Sequence, residues 1–287
     1  MDNDLGKWVA SIVTAFCAGP ENTLQGANHE PAWAAPLVGF ARGDDPLFEQ
    51  YKEYVGPFHW TPLEAFRQSY PDRPASAKEL TVIAWVLPQT AATRRDNRVQ
   101  RVYPAERWAR SRIFGEEFNN KLRQHVVDAL RAAGYATVSP MLSPEWRSTD
   151  SERYVYASTW SERHAAYAAG LGTFGLCDGL ITPVGKAMRV GSAVARIAID
   201  PTPRPYTDHH AYCLYYSHGI CGQCIDRCPM GAISKAGHDK VRCREHLRST
   251  TAPYVERNYG FAGYGCGLCQ TGVPCEYKIP TPEDVAG

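Results

Sequence analysis

Eight of the chain's ten cysteines lie between Cys213 and Cys275, and no other feature limits its possible folds so tightly. They form two motifs. The first reads Cys213-x7-Cys221-x2-Cys224-x3-Cys228-Pro229, and the second is Cys243 followed by Cys266-x2-Cys269-x5-Cys275. Cys17 and Cys177 stand apart. Cysteines are spent either on disulfides, mainly in small secreted chains, or on metal and catalysis. The N-terminus (MDNDLGKWVASIVTAF) is acidic ahead of its apolar stretch and has no twin arginine, unlike a secretory or Tat signal. A cytoplasmic address is the expectation, and with it the clustered cysteines point to metal.

The spacing selects the kind of metal centre. In bacterial two-cluster ferredoxins a C-x2-C-x2-C-x3-C-P run binds one 4Fe–4S cube, and its last cysteine ligates the other. The reason is reach: a tight turn aims neighbouring cysteines at one cube, and the cysteine before proline points away. Here the x2, x3 and Cys-Pro elements are intact, and only the first ligand is displaced. His218 stands three positions before Cys221, so Cys213 is taken as the replacement, looped back by Leu214–Ile220. The expected sets are Cys213, Cys221, Cys224 and Cys275 for one cluster, and Cys228, Cys243, Cys266 and Cys269 for the other. Two rivals stay open: a pair of structural zinc sites, since the spacings of four-cysteine zinc sites overlap these, and His218 as a ligand in place of Cys213.

At 287 residues the chain has room for one large core and a smaller domain. A net charge of +1 argues neither for nucleic acid nor for an anionic membrane, and no apolar run reaches the ~20 residues of a membrane helix. Leu5, Trp8, Val9, Ile12, Val13 and Phe16 predict a first helix, with Cys17 as a core residue. Residues 20–78, rich in Pro, Gly and aromatics, read as an irregular packed segment. Leu80–Leu87 reads as a buried strand closed by Pro88, and residues 115–133 as a helix stopped at Gly134. Short strands are expected at Tyr135–Val138, Leu180–Thr182 and Arg189–Ile199, the last interrupted by Gly191. A helix over 160–170, opened from Ser158 or Ser161, runs into a glycine turn. Seven arginines between Arg94 and Arg112 read as a solvated loop, or as a clamp for phosphates, an anionic substrate or a donor protein. Pro201, Pro203 and Pro205 mark a linker, dividing the chain into 1–205 and 206–287.

Upstream of the cysteines stand Ser161-Glu162-Arg163, Gly170-Leu171-Gly172-Thr173-Phe174-Gly175, Leu180-Ile181 and a strand bearing Gly191. With the cysteine set, and with residues 114–134 as the preceding helix, this pattern resembles epoxyqueuosine reductase and, more distantly, the reductive dehalogenases, over roughly residues 80–280. The resemblance implies an α/β (α+β) chain: a nitroreductase-like cofactor-binding domain followed by a two-cluster ferredoxin-like domain. It further implies cobalamin bound base-off, with the clusters as a wire; the chain has no Asp-x-His-x-x-Gly run to supply a histidine to cobalt. Cofactor contacts would fall on Ser158, Glu162, Arg163, Gly170, Leu171, Gly172 and Gly175. Where epoxyqueuosine reductases carry an acidic proton donor this chain has Tyr156, with Tyr154 an equal rival, and a tyrosine donor is what the dehalogenases are thought to use. Members that act on tRNA often continue into a helical-repeat tail, whereas this sequence stops at Gly287.

Plainer readings stand beside these. The glycines make a helix cap and a turn, Glu162 and Arg163 a helix-start ion pair, and Cys177 a small buried hydrophobe. The expected function is a cobalamin-dependent reductase. It would be fed by a low-potential donor of ferredoxin or flavodoxin type and act on a small molecule or a modified nucleoside, with nucleic acid left open. An electron-transfer or corrinoid-activating protein, a true epoxyqueuosine reductase, and a domain that holds flavin or nothing are the alternatives.

Overall fold

The computed structural model describes residues 2–285. Its centre is strand β2 (Thr81–Pro88), in which all eight residues are buried. The strand has no polar face because both faces are covered. It pairs antiparallel with β1 (Leu37–Arg42) on one side and β8 (Met188–Ala195) on the other, and β3 (Thr137–Val138) closes the sheet beyond β8. Alternate residues of β2 then face opposite layers, as the two-residue period of a strand requires. Ile83, Trp85 and Leu87 pack against α1 (Asp2–Cys17) and α5 (Glu106–Ala132), through Val9, Val13, Phe118, Leu122 and Val126. Val82, Ala84 and Val86 pack under α2 (Leu47–Tyr54), α3 (Pro62–Ser69) and α6 (Glu162–Ala168).

The expected strand at 80–87, the first helix and the buried Cys17 are all found. Residues 20–78 are more ordered than their composition indicates, for they contain β1, α2 and α3. Helix α3 is announced locally by a capping box: the Thr61 hydroxyl accepts from the Glu64 backbone, and the Glu64 carboxylate accepts from the Thr61 N–H. Helix α5 begins nine residues earlier than expected. Most of the arginine stretch therefore lies on α4 (Ala91–Arg98) and the first turns of α5 rather than in a loop. Gly134 ends α5 with φ +91°, as expected of a helix stop. Gly191 is required by packing, since a Cβ there would lie 2.3 Å from the indole of Trp85. That indole is fully buried and donates to Asn119 Oδ1 at 3.0 Å.

After β8 the chain runs without helix or strand to Cys213. It then forms α7 (Leu214–His218), α8 (Gln223–Asp226), the small β9–β10 pair (Ile233–Ser234, Gly237–His238), α9 (Lys240–His246) and α10 (Ala252–Tyr259). Between β3 and α6 lies a hairpin of β4 (Ser148–Ser151) and β5 (Val155–Ser158), and the short β6 (Thr173–Phe174) and β7 (Leu180–Ile181) pair beyond α6.

Under α2 and α6, His59 is 1% exposed, and neither ring nitrogen has a hydrogen-bond partner. Burial, the largest effect, holds its pKa down at about 4, from an ordinary 6.5. The folded state thus keeps a neutral imidazole that the unfolded chain protonates below 6.5, so stability present above that value is lost as pH falls towards 4. From about pH 7.5 to about pH 5.5 the loss attributable to His59 is about 1 kcal/mol. His59→Leu is expected to flatten the fall in thermal midpoint between these pH values; an unchanged slope would refute this assignment.

Candidate metal centres

The cysteines are placed by short, sharply capped elements. Cys213 is the N-cap of α7, and Gly219, left-handed at φ +69°, turns the chain back towards Cys221. Cys224 sits on α8 and Cys228 just beyond it, where its Sγ accepts from the Ala232 N–H at 3.2 Å. Cys243 lies on α9. Between Cys266 and Leu268, Gly267 is left-handed at φ +63°, and a Cβ would fall 1.9 Å from Trp108.

These elements bring the cysteines to two cavities. Cys213, Cys221, Cys224 and Cys275 line the first, walled by Leu176, Ile181 and Val273. Cys228, Cys243, Cys266 and Cys269 line the second, of about 220 Å³. The partition is the one read from the motifs, with Cys228 turned away from Cys221 and Cys224. His218 is exposed, bonded through Nδ1 to Ser217 Oγ, and lines neither cavity. Among the described residues no three His, Cys, Asp or Glu side chains converge as a single metal ion demands. The thiols surround volumes instead.

The charges around the cavities are positive. Lys186 is 2% exposed, and its Nζ approaches Cys177 Sγ at 3.4 Å. Burial opposes its charge, but the sulfurs of Cys177, Cys275, Cys224 and Cys269 outweigh it and hold the ammonium. Among the described residues it has no carboxylate partner. Arg112, Arg163 and Arg189 line the second cavity. The like charge of Arg189, ahead of burial, pushes the Arg112 guanidinium down to about 10. Buried cations without carboxylates are costly, and a cube with four thiolates is an anion. The donor set and its surroundings therefore fit two 4Fe–4S clusters.

The residues nominated for corrinoid contacts fall differently. Arg163 lines the second cavity and donates to the Asp178 carbonyl. Glu162 is buried in a two-bond pair with Arg123 (Nε–Oε1 2.9 Å, Nη2–Oε2 2.5 Å) and also accepts from Ser192 Oγ at 3.3 Å, so it ties α6 to α5 and β8. Ser158 Oγ donates to the Trp160 carbonyl. Gly170, at φ +74°, leaves 2.6 Å between an added Cβ and the Pro203 carbonyl; at Gly172 the corresponding gap to the Ile181 carbonyl is 2.2 Å. Gly175 packs on Ile181, and Leu171 is buried in the core under Gly39. The close approaches that require these glycines are thus made by the chain itself. Tyr156, half-buried on β5, lies under the Arg244 guanidinium at 4.4 Å, while Tyr154 faces Lys240 at 4.8 Å; neither lines either of the two cysteine cavities. Of these residues only Arg163 lines either of the two cavities described.

Three participants escaped sequence reasoning. Cys177, read as a small buried hydrophobe ahead of a cofactor contact, sits between the two cysteine sets, against Cys224 and Cys269. Lys186 follows the turn at Gly185, and its only signal was a lysine in an apolar stretch. His238 bonds Asp178 at 3.1 Å beside Cys243, and against the cost of burial these two partners raise it to about 10.

No family model matches the chain. Its sequence is similar to curated epoxyqueuosine reductases: 32% identical to that of Bacillus anthracis over 119 residues, covering 40% of this chain and 29% of the relative. The Staphylococcus aureus protein is 32% identical over 130 residues, covering 43% and 32%. The matched stretch thus spans about a third of those relatives' length. Among solved structures, an epoxyqueuosine reductase with an epoxyqueuosine-modified tRNA stem loop superposes with a TM-score of 0.53 at 19% identity, covering 99% of this chain and 69% of the other. A catabolic reductive dehalogenase gives 0.50 at 15% identity, covering 98% and 37%. The class is therefore a mixed α/β chain with the fold shared by these reductases. Within it, the recognisable sequence likeness is to the epoxyqueuosine reductases, as the Glu162–Gly175 pattern and the cysteines indicated.

The segment that carries Cys275, of the first set, is anchored to α4. Glu276, 1% exposed, accepts from Arg98 Nη2 at 2.7 Å and from the Gly272 N–H at 2.6 Å, with Arg94 at 3.5 Å. Glu276→Ala leaves the Arg98 guanidinium and that N–H without this acceptor and removes the carboxylate beside Arg94. It is expected to cost about 2 kcal/mol and to loosen Cys275, read as a lower thermal midpoint and faster alkylation of Cys275; wild-type values for both would refute the anchoring role.

Proposed function

We propose that the chain is an oxidoreductase carrying two 4Fe–4S clusters, one on Cys213, Cys221, Cys224 and Cys275 and the other on Cys228, Cys243, Cys266 and Cys269. Residues 206–287 carry the clusters, and residues 1–205 form the substrate-side domain. The observation that carries this reading is the sorting of eight thiols into two cavities beside a buried lysine that has no carboxylate partner among the described residues. A low-potential donor of ferredoxin or flavodoxin type supplies electrons one at a time. The clusters pass them towards the substrate side of the chain, on residues 1–205.

Anaerobically prepared protein is expected to hold about eight iron and eight sulfide. Stoichiometric zinc without iron would overturn the proposal. Cys213→Ala is expected to bleach or convert the first cluster and His218→Ala to leave it intact, read by EPR; the reverse would make the histidine the ligand.

Base-off cobalamin as terminal acceptor, with Tyr156 or Tyr154 as proton donor, is supported by the likeness to the reductases rather than by the residues that line the two cavities. Cobalamin supplies a strongly reducing cobalt centre where it is bound. If it serves here, protein purified with cobalamin supplied will retain about one per chain, with no histidine on cobalt by EPR. Failure to retain it would leave the clusters feeding another acceptor. A true epoxyqueuosine reductase would restore queuosine in a deficient strain, whereas an electron-transfer protein would not.

A further inference from the structure

Lys186 is out of place as a merely structural residue. Its ammonium is buried to 2% exposure and donates to Cys177 Sγ at 3.4 Å. Among the described residues no aspartate or glutamate pairs with it, although the chain forms such pairs freely elsewhere. Its backbone N–H donates to the Cys275 carbonyl at 2.9 Å, so its place is tied to a cysteine of the first set. The turn before it is equally constrained: a Cβ at Gly185 would lie 2.2 Å from the Glu276 carbonyl. Lys186 lines the first cavity, and its thiol partner Cys177 lines the second.

The position has an electrostatic consequence. A cube of core charge 2+ with four thiolates carries a net charge of 2−. Accepting one electron from the low-potential donor takes the core to 1+ and the whole to 3−, with no bond made or broken. A nearby fixed positive charge stabilises the product more than the reactant, and net charge together with hydrogen bonds to sulfur is among the levers that set cluster potentials. A low dielectric strengthens the effect.

We propose that Lys186 is a positioning residue for electron transfer: its ammonium, held by Cys177 between the two cysteine sets, is the fixed charge that raises the clusters' reduction potentials. The first cluster, whose cavity it lines, is affected more. This rests on the two-cluster reading above.

The test is an EPR-monitored redox titration of the anaerobically prepared full chain, comparing wild type with Lys186→Met, Lys186→Gln and Lys186→Arg. At the potential where the wild-type first cluster is half reduced, the neutral variants are expected to show a reduced-to-oxidised ratio about tenfold lower, equivalent to ~59 mV for one electron. Lys186→Arg, which keeps the charge, is expected to stay within about threefold. Neutral variants that hold wild-type iron and titrate at the wild-type potential would overturn the proposal. So would neutral variants that lose their iron while Lys186→Arg keeps it, because the charge would then serve assembly rather than potential. Wild-type protein without iron and sulfide would instead sink the two-cluster reading itself.

Discussion

The cysteine-bearing segment has little core of its own, and its attachment to the sheet domain is the constraint on which the rest depends. Its apolar cluster consists largely of Leu176, Ile181, Ile233, Val273 and cysteines, and the first two of these come from the sheet domain. Polar anchoring makes up the difference. Lys186 and Ala187 donate backbone hydrogen bonds to the carbonyls of Cys275 and Glu276, Glu276 pairs with Arg98, and Asn97 donates to the Cys266 carbonyl. Arg227, from the turn of the first motif, donates to the carbonyls of Asn97, Gln100 and Thr271. Groups buried at this junction satisfy one another across it, so misplacing one strands several.

The junction is also where the charge lies. Arg112, Arg189 and Arg123 face only Glu116 and Glu162 as carboxylate partners among the described residues, and Lys186 faces thiols. Such an excess is tolerable in a protein interior only beside anions. Two thiolate-ligated cubes, as proposed above, would supply them, so that cluster binding and the protein's electrostatics would support each other.

The glycine-rich turn after α6 shows how one pattern serves two readings. Gly170 and Gly172 must be glycine because the carbonyls of Pro203 and Ile181 lie far inside van der Waals contact of where a Cβ would stand. That need is met by the chain's own packing, as is the need of Glu162 for Arg123. In this chain the glycines of the segment are accounted for by how the turn itself folds.

Much was legible in the sequence. The buried strand at 80–87, the amphipathic helices and the division of eight cysteines into two sets follow from periodicity and from the reach of a cysteine before proline. All three are local rules, written in neighbouring residues. What lay beyond reading was set by groups far apart in the chain: that Arg98 would hold Glu276, that Glu162 would be consumed by Arg123, and that residues 20–78 would add strand β1 to the sheet. Cys177 and Lys186 belong with these. Alone, one is a small buried hydrophobe and the other a stray lysine. Only tertiary packing brought their sulfur and ammonium to 3.4 Å between two sets of thiols, because a charge finds its meaning in its neighbours across the fold rather than along the chain.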